Sequence, residues 1–376
     1  MPPKKRSRSS SPSETTAPPT NRTIGNRTVG KVVRSPEALA AMAESKSKEA
    51  IWGEVLPFER ITKKTDFDPE NMFKFITWNV AGLRGILKKN PKAISDFLSK
   101  ESPDILALQE TKLNTTEAEA NAKLGVVEGY TFVDHPCRVK KGYSGTRTYV
   151  KTDAISVALK ATHTKGFNLL GTKESEVGDE EGRILSTFLD APGTPKTEQG
   201  AHPNLVFINT YVPNSGMTLD RLAYRTEEFD ISMRNYLVSL KKYCTDNAKA
   251  VKNENYHGLI WTGDLNVAER DFDRYYSGTF KTMQCCSGFT PEERESFRTT
   301  LKKTDTFDVF RFLYPNAGPV YTFWSARLNG RDKGLGWRID YFVLSENLKP
   351  FVVDCFVMPE IVSSDHSPVQ LWLRKK

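Results

Sequence analysis

The sequence has few cysteines and no long apolar segment. Its 376 residues include five cysteines, none of them in a Cys-x-x-Cys pair, which excludes both a disulfide scaffold and the usual zinc-binding patterns. No uninterrupted apolar run approaches the ~20 residues of a membrane-spanning helix. The first residues, Pro2-Pro3-Lys4-Lys5, are not the apolar core of a secretory signal. We therefore expect a reduced, intracellular protein with no membrane partner.

The excess positive charge is concentrated at the N-terminus. The chain has a net charge of +8, and residues 1–34 hold eight of its Lys and Arg residues against a single acid, Glu14. Because the rest of the chain is close to neutral, it can bind a polyanion only through a local basic patch. The run 4–8 (KKRSR) indicates nuclear localisation or nucleic-acid binding, and a solvated tail without function is an equally good interpretation. We expect a nuclear protein, with a mitochondrial fraction as the second choice.

Composition divides the chain into three parts. Residues 1–34 are predicted to be a disordered basic tail, because they cannot bury enough apolar surface to offset the entropy of ordering. Residues 35–71 are predicted to be a linker. In residues 72–376, strand-like and helical patterns are interspersed, which predicts a single α/β domain. The strand-like runs are 73–80, 105–109, 184–189, 205–212, 259–262, 339–344 and 369–373.

Three helices are predicted between these strands. Apolar residues recur every three to four positions from Leu219 to Leu240, and a second helix is predicted from about residue 90 to Leu98. A third begins after Thr290, because Thr290 is a good N-cap residue and Glu293 completes a capping box. The stretch 150–182 has little pattern and is predicted to be a hairpin or an exposed loop.

Acidic and amide residues lie at the ends of four strand-like runs. Each of them alone is more often a helix cap or a turn residue. Four such positions together favour a functional site, because strand ends are where a rigid scaffold presents reactive groups. Oxygen ligands of this kind suit Mg²⁺ or Mn²⁺ better than zinc. The residues are Asn79, Glu110, Asp264 with Asn266, and Asp365 with His366.

These residues lie in motifs that resemble those of the exonuclease III-type AP endonucleases, a branch of the endonuclease/exonuclease/phosphatase superfamily. The runs GDLN (263–266) and SDH (364–366) are typical of the whole superfamily. The runs QETK (109–112), YVPN (211–214) and GWRIDY (336–341) are typical of the AP endonuclease branch. The resemblance extends over residues 73–373.

The resemblance implies a four-layer αββα sandwich of the DNase I-like type, with two mixed β-sheets flanked by helices. It implies a base-excision-repair endonuclease that hydrolyses the DNA phosphodiester 5′ to an abasic site and leaves a 3′-hydroxyl and a 5′-deoxyribose phosphate. The expected cofactor is Mg²⁺, with Mn²⁺ as a substitute, and the expected partner is double-stranded DNA containing abasic sites. Additional 3′-phosphodiesterase and 3′–5′ exonuclease activities and a monomeric state belong to the same expectation.

The resemblance also assigns roles to the polar residues. Glu110 is expected to be the main metal ligand, and Asp264 is expected to take or relay the proton of the attacking water. His366 is expected to donate to a phosphoryl oxygen. The metal set is Asn79, Glu110, Asp264, Asn266, Asp365 and His366, and the catalytic set is Tyr211, Asp264, Asn266, Asp340 and His366.

Substrate selection is expected from an apolar slot formed by Phe323, Trp337 and Ile339, which would admit a base-free sugar and exclude a complete nucleotide. The alternative is that the two aromatic residues are ordinary core residues. Ala81 stands where many relatives carry an acid or amide beside the metal. Contacts with the DNA backbone are expected from Arg84, Lys112, Tyr143, Asn214, Met217 and Arg327.

Two other functions remain open on the sequence. A superfamily phosphatase or RNA deadenylase would share the GDLN and SDH runs, but the run 336–342 argues against it. A catalytically silent DNA-binding or redox-regulatory protein descended from the family would be expected to have lost at least one of five ligands, and none is lost. These are Glu110, Asp264, Asn266, Asp340 and His366.

Overall fold

Two six-stranded β-sheets form the centre of the computed structural model, which describes residues 22–24, 27–29, 36, 42, 46–53, 55–152, 162–170, 178–191 and 203–375. In chain order the strands are β1 (Arg22–Ile24), β2 (Arg27–Val29), β3 (Met72–Asn79), β4 (Ile105–Gln109), β5 (Tyr130–His135), β6 (Thr146–Lys151), β7 (Thr162–Lys165), β8 (Ile184–Leu189), β9 (Leu205–Tyr211), β10 (Gly258–Asp264), β11 (Thr306–Asp308), β12 (Phe323–Trp324), β13 (Gly336–Trp337), β14 (Asp340–Ser345), β15 (Val352–Val357) and β16 (Val369–Arg374).

Short helices and one long helix connect the strands. The α-helices are α1 (Lys48–Trp52), α2 (Leu83–Lys89), α3 (Ala93–Glu101), α4 (Ala118–Lys123), α5 (Asp230–Ala250), α6 (Phe280–Met283), α7 (Pro291–Thr304) and α8 (Val309–Leu313). A π-helical stretch, Tyr224–Phe229, leads directly into α5. Among the described residues, none of the helices combines the length and the apolar character required to cross a bilayer.

Both sheets are mixed. Sheet one has the strand order β15-β16-β3-β4-β6-β5, and sheet two has the order β11-β14-β10-β9-β8-β7. The pairs β3–β4 and β9–β10 are parallel, and the other pairs within the two sheets are antiparallel. Because parallel neighbours run in the same direction, the carboxyl ends of β3 and β4 lie at one edge of sheet one, and those of β9 and β10 lie at one edge of sheet two.

Apolar side chains hold the four layers together. Between the sheets, the rings of Phe75 and Phe207 lie 5.5 Å apart and both residues are fully buried. Outside sheet one, Trp78 packs against Phe97 of α3 with ring centroids 5.2 Å apart. Outside sheet two, α5 and α7 cover a second cluster of buried apolar residues that includes Tyr341. The predicted αββα sandwich is confirmed.

The predicted elements agree closely with the observed ones. The runs 105–109 and 184–189 are strands with the predicted bounds, and the others shift by one or two residues at an end. The helix predicted after Thr290 begins at Pro291, and Thr290 Oγ1 accepts a hydrogen bond from the Glu293 N–H at 3.2 Å. The helix predicted over 219–240 differs most, because its regular α-helical part begins at Asp230 and continues to Ala250.

The structure describes the irregular segments only in part. Most of the tail lies outside the described residues; within it, β1 and β2 pair antiparallel. The stretch 150–182 contributes the edge strand β7, while residues 153–161 and 171–177 lie outside the described residues.

The described residues 46–53 and 55–71 of the predicted linker contact the domain. Ile51 is buried in an apolar cluster with Phe280, and Arg60 forms an ion pair with Asp354 at 3.0 Å. The Phe58 ring lies 5.0 Å from that of Tyr314. The two residues of each of these three contacts are more than 200 positions apart in the sequence. Local composition therefore gave no sign that this segment packs against the domain.

Candidate active site

A cavity of about 550 Å³ opens at the edge where β3, β4, β9 and β10 end and β14 begins. Asn79 and Asp340 are buried and are hydrogen-bonded to residues of its wall. The structure therefore brings together side chains that are separated by almost 300 positions. The predicted site residues in the cavity wall are Glu110, Lys112, Tyr211, Asn214, Met217, Asp264, Asn266, Phe323, Trp337, Ile339, Asp365 and His366.

Three residues after these strands have a left-handed backbone. Ala81, Glu110 and Asn266 each have φ of 49°, a conformation that costs a residue with a side chain of order 1–3 kcal/mol. The Asn266 N–H donates to Oδ1 of Asp264 at 3.0 Å, and the Ala81 N–H donates to Oδ1 of Asn79 at 2.9 Å. These hydrogen bonds help to hold the sharp turns that end the strands beside the cavity.

Asn79 connects two carboxylates. Its Nδ2 donates to Oδ2 of Asp264 at 2.9 Å and to Oε1 of Glu110 at 3.1 Å. Because one amide group holds both acids, it sets their separation and orientation. The structure thus places Asn79 as an orienting group, and its role as a metal ligand stays a prediction.

Asn266 is held at both ends of its amide. Its Nδ2 donates to the carbonyl of Val212 at 2.8 Å, and its Oδ1 accepts from Nδ2 of Asn214 at 2.9 Å. The side chain is therefore positioned by the loop that follows β9. Its catalytic and metal-binding roles also stay predictions.

His366 and Asp340 form a buried pair. Nδ1 of His366 donates to Oδ2 of Asp340 at 2.8 Å, while Nε2 lies 3.8 Å from Oδ2 of Asp264. Burial opposes charge on the imidazole, but the carboxylate of Asp340 outweighs this effect and raises the pKa of His366 to about 10. Burial and the charge of Asp340 raise the pKa of Asp264 above its ordinary value. The imidazole is therefore a cation at neutral pH, and Asp264 is a stronger proton acceptor than an exposed Asp.

Glu110 and Tyr211 have opposite electrostatic surroundings. Burial opposes ionisation of Glu110, but the ammonium of Lys112, 3.0 Å from Oε2, lowers the pKa of Glu110 below its usual range. Burial, followed by the charge of Glu110, raises the pKa of Tyr211 well above that of a free phenol. Glu110 is thus an anion at neutral pH, and Tyr211 keeps its proton and can donate a hydrogen bond.

The donor set fits a hard divalent cation. Among the described residues, potential ligand atoms of Asp264, Asp340 and His366 lie within 4.8 Å of one another, and Glu110 and Asp365 belong to the same cavity wall. Oδ1 of Asp340 is buried without a hydrogen-bond partner among the described residues. An acidic group of this kind is suited to Mg²⁺ or Mn²⁺.

The predicted slot residues form one apolar side of the cavity. Phe323 and Trp337 face each other across the antiparallel β12–β13 ribbon, and Ile339 is buried beside them. The Phe323 ring lies 4.8 Å from the imidazole of His366. The two aromatic residues are only partly buried and contribute to the cavity wall. This position favours the slot over an ordinary core role, and the assignment itself stays a prediction.

The predicted DNA-contact residues divide into two groups. Lys112, Asn214 and Met217 belong to the cavity wall, and Met217 is 63% exposed. Arg84, Tyr143 and Arg327 do not belong to it. The Arg84 guanidinium pairs with Glu117, and the Tyr143 hydroxyl accepts hydrogen bonds from two arginines, Arg183 at 2.7 Å and Arg221 at 2.6 Å.

Sequence reasoning missed one side of the cavity. The missed residues follow β10 and the β12 strand and carry no acidic motif. The adjacent aromatic and basic residues at 274–276 were a signal that could have drawn attention to this segment. The missed residues in the wall include Arg274, Tyr275, Cys285, Cys286, Ser287 and Leu328.

Glu293 has a second role beyond the predicted capping box. Its Oε1 accepts from the hydroxyl of Ser215 at 2.6 Å, and its Oε2 accepts from the Gly288 N–H at 2.7 Å. Ser287 Oγ in turn donates to Oδ1 of Asn214 at 3.0 Å. Glu293 therefore connects the loop after β9 with the loop before α7, and both loops contribute to the cavity wall.

The two stacked sheets with an acidic cavity at their edge are typical of αββα-sandwich enzymes that hydrolyse phosphate esters. The chain belongs to the Endonuclease/Exonuclease/phosphatase family, whose model matches residues 76–366. The resemblance seen in the sequence motifs is thereby confirmed.

Individual relatives cover most of the chain. A Danio rerio protein described as DNA repair nuclease APEX1 is 36% identical over 322 residues, or 84% of this chain and 86% of the relative. A Bacillus subtilis exodeoxyribonuclease is 32% identical over 301 residues, or 79% of this chain and 98% of the relative. The crystal structure of the AP endonuclease LMAP from Leishmania major is similar with a TM-score of 0.84 and 56% identity, covering 91% of this chain and 99% of that chain.

Proposed function

We propose that this protein is a DNA-(apurinic or apyrimidinic site) endonuclease. It hydrolyses the phosphodiester 5′ to an abasic sugar and leaves a 3′-hydroxyl and a 5′-deoxyribose phosphate. The proposal rests on one juxtaposition: the Asp340–His366 pair and the aromatic slot of Phe323 and Trp337 adjoin in a single cavity. The Asp340–His366 pair can stabilise negative charge on a phosphate. The aromatic slot can accept a sugar that has lost its base. The similarity to an AP endonuclease from Leishmania major and to a DNA repair nuclease from Danio rerio supports the same activity.

Each polar group has a role that follows from its protonation state. His366, a cation, donates from Nε2 to a non-bridging phosphate oxygen, and Asp340 holds the imidazole in place. Asp264 accepts the proton of the attacking water, because its raised pKa makes it a better base. Tyr211 keeps its proton and donates to the phosphate or to the leaving oxygen.

Mg²⁺, with Mn²⁺ as a substitute, is the proposed cofactor. The residues that would hold it are Glu110 and Asp365, with Asn79, Asp264 and Asn266 as further candidates. His366 is not among them, because a protonated imidazole has no lone pair for a cation. When bound, the cation would supply positive charge at the phosphate and lower the pKa of a water molecule.

The activity is tested with three duplexes of the same sequence: intact, containing one abasic site, and carrying a blocked 3′ end. With Mg²⁺ we expect a single cut 5′ to the abasic site and little cutting of the intact duplex. EDTA should abolish the cut. Release of phosphate from simple monoesters, without incision of the abasic strand, would instead support the phosphatase alternative.

We also propose a 3′-phosphodiesterase and 3′–5′ exonuclease activity, which the description of the Bacillus relative as an exodeoxyribonuclease supports. The blocked 3′ end in the same assay measures it directly. If the 3′ block is removed at less than about 1% of the rate of abasic-site incision, the proposed 3′-phosphodiesterase and exonuclease activity is contradicted.

We propose that the protein acts as a monomer in the nucleus, with a mitochondrial fraction as the alternative. The basic run 4–8 motivates the nuclear assignment. Deletion of residues 1–34 should leave incision of a short duplex nearly unchanged and reduce nuclear accumulation. Nuclear enrichment that survives the deletion would contradict the role of the tail.

A further inference from the structure

Arg274 differs from every other buried arginine of the described chain. Six further arginines that are less than 9% exposed each form an ion pair with an Asp or Glu, whereas Arg274, 3% exposed, forms none with any described residue. An unpaired buried charge is costly. The paired arginines are Arg147, Arg183, Arg225, Arg294, Arg311 and Arg338.

The hydrogen-bond acceptors around Arg274 are all neutral. Nη1 donates to the carbonyl of Tyr275 at 2.9 Å, and Nη2 donates to Oγ of Ser277 at 3.1 Å and to Sγ of Cys286 at 3.5 Å. Nε is buried and has no hydrogen-bond partner among the described residues. Burial raises the pKa of the Cys286 thiol, so that this sulfur carries no negative charge at neutral pH.

The neighbouring acids are already neutralised. Asp273, which precedes Arg274, pairs with both Arg311 and Arg338, and Arg338 also pairs with Asp308 at 2.7 Å. Two acids thus face two arginines in this buried network. Within this network of described residues, no negative charge is left over to compensate a third guanidinium.

Arg274 belongs to the wall of the active-site cavity at the end that holds the slot. Its guanidinium carbon lies 4.6 Å from the centroid of the Trp337 ring. An anionic group that enters with the substrate would therefore meet an uncompensated positive charge beside the slot. Guanidinium groups bind phosphate oxygens well, because their donors form a rigid fork.

We propose that Arg274 binds a backbone phosphate of the DNA that enters the cavity together with the flipped abasic sugar. This inference rests on the proposed function, because it takes the abasic strand as the substrate. It assigns a substrate-binding role to a residue outside the motifs of the sequence analysis. The contact forms only when the sugar occupies the slot, so that intact DNA does not make it.

The test measures the salt dependence of binding. Full-length protein is titrated, in EDTA to prevent cutting, onto a fluorescent duplex with a tetrahydrofuran abasic analogue and onto the intact duplex, over a series of KCl concentrations. Each phosphate contact contributes about 0.9 to the slope of log Kd against log[KCl]. We expect Arg274→Gln to reduce this slope by about 1 on the abasic duplex and to leave it unchanged on the intact duplex.

Two further variants keep the result interpretable. Arg274→Met removes the charge and keeps an unbranched side chain of similar length. Without DNA, we expect this variant to melt at the same temperature as wild type or at a higher one, because an unpaired buried charge is lost. It should show the same loss of slope. Arg270→Gln is the matched control, since Arg270 lies on the same loop outside the cavity wall and pairs with Glu269; its slope should equal that of wild type.

The outcomes separate the two proposals. If both Arg274 variants keep the wild-type slope on the abasic duplex, or lose equal slope on both duplexes, the phosphate contact is wrong. If the wild-type protein binds both duplexes with equal affinity and makes no cut at the abasic site with Mg²⁺, the proposed function itself is wrong.

Discussion

Nδ1 of His366 and Oδ2 of Asp340 lie 2.8 Å apart in the buried wall of the cavity, and the second oxygen of the same carboxylate has no hydrogen-bond partner among the described residues. The pair joins the first residue of β14 to the loop before β16. It keeps the imidazole charged, because the carboxylate raises the pKa of His366 to about 10. The charged imidazole of His366 is therefore a fixed cation in a cavity wall that also contains Lys112 and Arg274.

Asp340→Asn tests the importance of this pair. The amide keeps the shape of the side chain but removes the charge that stabilises the imidazolium, so that incision of an abasic duplex at neutral pH should slow by about 10²-fold or more. Single-turnover kinetics measure the effect, and a thermal melt checks that the variant is folded. A folded variant with a wild-type rate would contradict the role assigned to Asp340.

Glu110→Gln tests the metal site. Loss of the carboxylate should weaken cation binding, and the Mg²⁺ concentration that gives half the maximal rate should rise by at least about tenfold. Glu117→Gln is the control, because Glu117 pairs with Arg84 outside the cavity wall. An unchanged Mg²⁺ requirement in Glu110→Gln would remove Glu110 from the ligand set.

Trp337→Ala tests the slot. A wider slot should accept nucleotides that still carry a base, so that incision at abasic sites slows while cutting of undamaged 3′ ends becomes relatively faster. The measured quantity is the ratio of the two kcat/KM values, because specificity is expressed in that ratio. Trp324→Ala is the matched control, since Trp324 lies in the same ribbon but not in the cavity wall. Equal losses on both substrates in Trp337→Ala would indicate a structural role only.

His163 is expected to limit stability in acid. Burial lowers the pKa of His163 from 6.5 to about 4, so that the unfolded chain binds the proton more readily between these values. Stability is therefore lost as pH falls from about 6.5 to about 4, by at most about 3.5 kcal/mol at about 1.4 kcal/mol per pKa unit. Urea midpoints at pH 7.5 and pH 5 measure the loss, and His163→Gln should reduce the difference between them. An identical difference in the variant would contradict this assignment.

Local signals predicted seven of the twelve strands in the two described sheets, and they did not predict β5, β6, β7, β11 and β15 as strands. The strands 105–109 and 184–189 were predicted with their observed bounds, because both are rich in apolar residues and are flanked by charged residues on each side. The start of α7 was predicted because a capping box depends on residues only three positions apart. The start of α5 was missed, because the residues before Asp230 follow the same apolar period in a π-helical stretch.

The sequence motifs predicted most residues of the cavity wall, but they did not predict Arg274. Arg274 has an ordinary neighbourhood in the sequence, and only the folded chain shows that the nearby Asp273 is already paired with Arg311 and Arg338. In the same way, the contact of Arg60 with Asp354 joins positions almost 300 residues apart.

The sequence by itself determined the alternation of strands and helices, the family, and the residue types available for chemistry, because apolar periodicity and short motifs are properties of neighbouring residues. The tertiary structure decided which charges compensate one another. Asn79 contacts both Glu110 and Asp264, and Arg274 has no acidic partner in the part of the chain that the structure describes. Ion pairs and hydrogen bonds depend on distances between strand ends, and only the stacking of the two sheets establishes those distances.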